Sequence, residues 1–206
     1  MSELKLLKNC TIYTGESVLE KHAVLVEKGK IKKIMPDSES GAFESARQIN
    51  LKGNYLIPGF IDLQLNGGGG SFFTQQISEE SIEKIHQVYL RYGTTSFLPT
   101  LISTTFENIL RALDVTAAYM RRSENIVLGL HIEGPFFNVK KKGAHAEKFL
   151  RSPTDDEINI LAEKGKGIVS LITLAPEMVT DKQIRTLVNA GINVSAGHTD
   201  CSYAEA

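Results

Sequence analysis

The sequence predicts a mixed α/β protein: a small β domain over residues 1–57, followed over residues 58–206 by strands and helices alternating about a parallel sheet. Three observations predict it. Short apolar runs broken by turn residues fill the chain up to Ile57, the signature of strands rather than helices. From Pro58 the rhythm changes to apolar stretches separated by segments of helical length. The apolar stretches are nearly continuous rather than alternating, as in strands covered on both faces.

In the small domain, Lys5-Leu6-Leu7 leads to Thr11-Ile12-Tyr13, then a turn at Gly15, then Ala23-Val24-Leu25-Val26 and Glu27 to Ile31. The Gly29-Lys30 pair between apolar runs fits a tight hairpin. Residues Pro36 to Ser45 read as a polar, turn-rich connection, after which Ile49-Asn50-Leu51 and Tyr55-Leu56-Ile57 return to strand character. Beyond Pro58 the expected strands are Phe60–Leu65, Thr95–Leu101, Ile126–His131, Ile168–Leu174 and Ile192–Ala196. The expected helices are Ser78–Tyr92, Phe106–Met120, Asp155–Lys164 and Asp181–Ala190. Ser78 stands where an N-cap belongs, with Glu79 and Glu80 in the first turn and Gly93 at the far end. Thr180 and Gly191 bracket the last complete helix, and Ser202–Ala206 reads as the start of another. Both a doubly wound sheet and a TIM-like (β/α)8 barrel fit this alternation. No G-x-G-x-x-G opens the first strand–helix unit, which weakens the nucleotide-binding version of the former. About five of a barrel's eight units are present.

Composition narrows the function classes. The chain has 206 residues, 42% of them hydrophobic, and a formal net charge of -1. Near-neutrality gives no electrostatic reason to expect nucleic acid or an anionic membrane as partner. No apolar run approaches the ~20 residues that span a bilayer, and Met1–Lys5 has no signal-peptide character. Cys10 and Cys201 form no CxxC pair, so a reduced, cytoplasmic protein is expected.

The polar residues at the strand ends carry the chemistry. Barrel enzymes gather their active sites at the C-terminal ends of strands. Here those ends hold Gln64 and Asn66, Thr100, His131 and Glu133, Glu177 and His198. Glu133 and His198 are metal-ligand types on separate strands, whereas a hydrolytic zinc site uses about three protein ligands and one open position. By period two His131 shares a strand face with Glu133, and it is read as a packing or supporting residue beside a metal. Gly67-Gly68-Gly69-Gly70 reads as a close-approach loop, because no Lys-Ser/Thr follows to complete a phosphate cradle. Lys140-Lys141-Lys142 reads as a solvated loop, His22 and His86 as structural, Asp62 as a strand-end acid and Glu177 as a loop contact.

The segments Leu56-Ile57-Pro58-Gly59-Phe60-Ile61-Asp62, His131-Ile132-Glu133-Gly134-Pro135-Phe136, Lys142-Gly143-Ala144-His145, Thr173-Leu174-Ala175-Pro176-Glu177 and Val194-Ser195-Ala196-Gly197-His198 follow one another in this order. Together they resemble the N-acetylglucosamine-6-phosphate deacetylases, a branch of the amidohydrolase superfamily, and the resemblance extends over nearly the whole chain. It implies a distorted TIM-like barrel preceded by a small β domain, and hydrolysis of the acetamide of N-acetylglucosamine 6-phosphate to glucosamine 6-phosphate and acetate. It implies one divalent metal ion, zinc first and iron, cobalt or manganese as alternatives, held by Glu133 and His198. Ala144 and His145 match a substrate-binding pair, with His145 beside the acetyl carbonyl. Gln64 and Asn66 fall where many amidohydrolases carry His-x-His, a departure that matches members using a single metal ion. A further His ligand and the catalytic Asp of the family have no counterpart up to Ala206, so no general acid/base is assigned and the 206 residues alone are expected to be inactive. A homodimer is expected of the complete protein. Two rival readings are another amidohydrolase, which predicts His-x-His at residues 64–66, and a truncated non-catalytic module.

Overall fold

The computed structural model describes residues 4–206, and within them the chain divides into two compact units, the first ending at Gly59 and the second beginning at Phe60. In the first unit, β1 (Leu4–Tyr13), β2 (Val18–Glu27) and β3 (Lys30–Pro36) form an antiparallel meander. Next come β4 (Arg47–Asn50) and β5 (Tyr55–Leu56), and both pair parallel to β1. The β2–β3 turn is Lys28-Gly29, both at positive φ, with Glu27 opposite Lys30. It therefore sits one residue earlier than the sequence suggests, because two consecutive left-handed residues are what a two-residue hairpin needs. The polar connection after β3 is a short 3-10 helix, Asp37–Phe43. Leu6, Ala23, Leu25, Met35 and Ala46 form one apolar cluster, and Cys10, Ile12 and Val24 another.

The second unit is a five-stranded parallel sheet in the order β12-β11-β10-β9-β6, with four long helices, a mixed α/β arrangement. Its strands are β6 (Phe60–Leu65), β9 (Thr94–Ile102), β10 (Leu130–Glu133), β11 (Val169–Leu174) and β12 (Asn193–Ala196). The helices are α1 (Glu79–Leu90), α2 (Phe106–Arg122), α3 (Asp155–Lys164) and α4 (Asp181–Asn189). A small hairpin, β7 (Gly67–Gly68) with β8 (Ser71–Phe72), follows β6. It explains the glycine run: a Cβ on Gly68 would stand 2.7 Å from the Tyr89 ring and one on Gly67 only 2.5 Å from the Ser71 carbonyl.

Two expectations need correction. The strand placed over Ile126–His131 begins only at Leu130 and runs to Glu133. Gly129, at φ 132°, breaks the extended run, and Val127 makes a single bridge to Phe97 before it. Ser202–Ala206 forms a turn rather than a helix, so among the described residues the parallel sheet has five strands but four complete strand–helix units.

The helices start where their caps dictate. Ser78 and Thr105 accept backbone N–H bonds of α1 and α2, and Thr154 and Thr180 form full capping boxes with Glu157 and Gln183. Thr154→Ala is expected to lower unfolding free energy by ~1 kcal/mol in urea titration, the usual value of a lost N-cap. Apolar faces of these helices pack on the sheet. Leu130, Ile132, Ile172 and Leu174 join Ile85, Ile109, Tyr119, Ile158 and Leu187 in one core. Strand alternation then turns His131 and Glu133 to the opposite face of β10. No helix among the described residues is long and apolar enough to cross a membrane.

Candidate metal and substrate site

Three side chains converge beyond the C-terminal ends of β10 and β12. Glu133 closes β10, and its side chain is only 9% exposed. His145 lies on the loop that follows, buried, where Gly143 at φ 56° and a His145 N–H to Lys142 carbonyl bond turn the chain inward. His198 follows β12 after Gly197, whose missing Cβ allows the close approach to Thr173, 2.6 Å from where that atom would stand. Glu133 Oε1 is 3.3 Å from His198 Nε2 and 3.7 Å from His145 Nε2. All three ligand atoms lie within 4.8 Å of one another, so the trio could hold a metal ion.

The hydrogen-bond partners of the two imidazoles assign their tautomers, and the assignments are opposite. His145 Nδ1 receives the backbone N–H of Ser103 at 3.3 Å and lies 2.8 Å from the Ser103 hydroxyl. An N–H can only donate, so Nδ1 carries the lone pair and Nε2 the proton. His145 thus presents a donor. His198 Nδ1 faces the Lys141 carbonyl at 3.0 Å, which can only accept, so Nδ1 carries a proton and Nε2, 3.3 Å from the Glu133 carboxylate, is the nitrogen left to take a metal. His198 thus presents a ligand atom. Phe137, fully buried, fixes both ring planes, stacked on His198 at 4.2 Å and edge-on to His145 at 4.9 Å.

This arrangement fits a divalent cation. His198 Nε2 and Glu133 Oε1 lie 3.3 Å apart, close to the ~3.4 Å edge of a tetrahedron with ~2.0–2.1 Å bonds. Burial pushes the Glu133 carboxyl up, but the His145 and His198 imidazoles beside it, with His131 close by, outweigh that effect and hold it below the usual range. The group is an anion with two imidazoles around it.

The other predicted residues are placed differently. His131 is buried in the layer beneath, with Nε2 2.8 Å from Thr173 Oγ1 and Nδ1 3.3 Å from Thr100 Oγ1. Desolvation depresses its pKa, with the Glu133 charge opposing, so it is neutral. Ala144 is exposed beside His145. Gln64 is exposed at the end of β6. Asn66 is half-buried, its Oδ1 without a hydrogen-bond partner. Lys140 and Lys141 pair with Asp200, and Lys142 with Glu147. His22 bonds the Glu20 carbonyl, His86 stacks on Phe97, and Asp62 accepts from the Gln64 N–H. Sequence reasoning missed Ser103 and Phe137. Ser103 could have been found as a small polar residue just beyond a strand end; Phe137 reads as an ordinary core residue.

A sequence profile of the amidohydrolase family matches residues 55–206, and a profile described as the NagA composite domain matches residues 6–56. The chain belongs to the amidohydrolase family. Within it, the chain is 40% identical to the N-acetylglucosamine-6-phosphate deacetylase of Haemophilus influenzae, over 96% of this chain and 51% of that protein. It is 39% identical to the N-acetylgalactosamine-6-phosphate deacetylase of a Shewanella species, over 70% of this chain and 36% of that protein. The crystal structure of N-acetylglucosamine-6-phosphate deacetylase from Pasteurella multocida superposes with a TM-score of 0.93 at 39% identity, covering 98% of this chain and 52% of that one. The chain therefore spans about half the length of those two N-acetylglucosamine-6-phosphate deacetylases.

Proposed function

We propose that the full-length protein hydrolyses the acetamide of N-acetylglucosamine 6-phosphate, releasing glucosamine 6-phosphate and acetate, in the cytoplasm and as a homodimer. In this reading residues 1–57 are a small β domain, and residues 58–206 are the first five strands of a TIM-like (β/α)8 barrel. The single observation that carries it is the opposed pair of imidazoles around one carboxylate. His198 Nε2 and Glu133 Oε1 offer two lone pairs to a cation, and His145 Nε2–H offers a proton donor beside them. A divalent ion held there, zinc by the nitrogen and oxygen donor set, supplies Lewis acidity toward an amide carbonyl and toward water.

The chain's own residues do the rest. Glu133 and His198 would hold the ion, with the His145 Nε2 3.7 Å from Glu133 Oε1 and its ring oriented by Ser103. His145 would donate to the acetyl oxygen as negative charge develops there, and Ala144 beside it leaves room for the sugar. Ser103 keeps that donor on Nε2. Phe137 excludes water behind both rings. Hydrolysis also needs a proton delivered to the leaving amine, and that role is assigned to an acid beyond Ala206. Gln64 and Asn66 stand where a second metal would need histidines, which supports a single-ion site.

A second reading is favoured by one specific observation, the 39% identity to an N-acetylgalactosamine-6-phosphate deacetylase. Acetate release by the zinc-loaded full-length protein from the two phosphorylated sugars, with unphosphorylated N-acetylglucosamine as control, separates them. Preference for the gluco epimer is expected; preference for the galacto epimer would replace the reading, and no release from either would end it. The 206-residue polypeptide assayed alongside should fall at least ~10²–10⁴-fold short, the value of general acid–base help.

A further inference from the structure

His198 holds its ligand nitrogen in place from an unfavourable backbone. Its φ is 53°, in the left-handed region, where a non-glycine residue persists only if the surroundings over-determine it. Its own carbonyl accepts the Asn138 N–H at 3.1 Å, and its Nδ1 faces the Lys141 carbonyl. The next two residues are both attached to one carboxylate. Glu177, on the 3-10 turn after β11, accepts the Asp200 N–H at 2.7 Å and the Asn138 side-chain amide at 2.9 Å on Oε1. Its Oε2 accepts the Thr199 hydroxyl. Partial burial raises the Glu177 carboxyl, but the bonds from Thr199, Asp200 and Asn138 together hold it below the usual range, so it is an anion accepting three donors.

We propose that Glu177 is the positioning residue for His198: it ties the loops after β10, β11 and β12 together, so that the His198 ring stays against Lys141 with a proton on Nδ1 and Nε2 turned toward Glu133. The loop after β10 carries the carbonyl that selects this tautomer, and the loop after β12 carries the ring. Without the carboxylate, only the Asn138 N–H to the His198 carbonyl and the solvent-exposed Lys140 and Lys141 pairs with Asp200 join the two loops, and the strained residue relaxes away from its acceptor. Glu177 makes its hydrogen bonds to Asn138, Thr199 and Asp200 and none to the trio, so it acts through the residues that flank His198. The affinity part of the inference rests on His198 being a metal ligand; the tautomer part does not.

The experiment reads both in the full-length protein. Long-range 1H–15N correlation spectra of the zinc-free protein, with His198 assigned by difference against His198→Gln, report which nitrogen is protonated. Wild type is expected to show Nδ1–H, Glu177→Ala a mixture of tautomers, and Glu177→Gln a return toward wild type, because the amide oxygen still accepts from Asp200 and Asn138. Zinc affinity should fall ~10–100-fold in Glu177→Ala, the usual cost of losing an outer partner of a ligand, and recover in Glu177→Gln. Thr199→Val, which removes one donor of the three, should move both readouts the same way by less, and it serves if Glu177→Ala does not fold. Wild-type tautomer and affinity in Glu177→Ala, or in Thr199→Val where that stands in for it, would overturn the proposal. A Glu177→Gln protein as impaired as Glu177→Ala would overturn it too. Absence of zinc binding in wild type would instead sink the metal reading, and the tautomer spectra would still decide the role of Glu177.

Discussion

Full-length protein carrying Glu133→Ala is expected to purify without its divalent metal and without deacetylase turnover. Glu133 supplies the only carboxylate of the trio, and its Oε1 lies nearest both imidazoles. Removing a direct ligand should cost more than the ~10–100-fold that losing an outer partner costs. His198→Ala should match it, since that ring offers the other free lone pair. Stability must be followed beside metal content. Glu133→Ala opens space beside two imidazoles and His198→Ala removes a half-buried ring, so metal loss counts only in a variant that still unfolds cooperatively. Loss of metal in both variants, with cooperative unfolding kept, is the expected pattern. Undiminished metal by elemental analysis in both would remove these residues from the site.

How much of this was legible in the sequence depends on the range of the interaction. The helices were, because their signals are local: Thr154 and Thr180 stand three residues before the Glu157 and Gln183 that complete their boxes. The break at Gly129 was not, because a glycine inside an apolar run can be a strand residue or a strand's end. Packing decides which: a side chain there would collide with Ser170 Oγ, 2.0 Å from the Cβ position. Strand alternation put His131 and Glu133 on one face, but not in different layers. His131 is taken up by Thr100 and Thr173, residues separated from it by 31 and 42 positions, and no spacing rule couples them. Glu133 and His198 were legible as ligand types at strand ends. The opposite tautomers of His145 and His198 were not, since they are set by a backbone N–H at Ser103 and a backbone carbonyl at Lys141. Every residue has such groups, and only the fold chooses which one faces a ring.

The tautomer difference also fixes what His145→Ala should do, and here two roles predict opposite results. By distance alone His145 could be a third metal ligand, because its ring nitrogen lies within 4.8 Å of the other two ligand atoms. A ligand needs its lone pair on Nε2, and the Ser103 N–H occupies Nδ1 as a donor, so the Nε2 lone pair would exist only if that bond broke or the ring turned over. The donor role costs nothing of the kind. His145→Ala in the full-length protein is therefore expected to keep its metal and lose ~10²–10³ in kcat, ~2.7–4 kcal/mol, the measured range for one oxyanion donor. Ser103→Ala keeps the backbone N–H that sets the tautomer and removes only the hydroxyl, so it should cost less than ~10-fold, under ~1.4 kcal/mol. Elemental analysis and acetate release on the same preparations distinguish the cases. Metal lost from His145→Ala as completely as from His198→Ala would make His145 a ligand and reverse its tautomer. Metal and kcat both unchanged would leave it a residue of the loop alone.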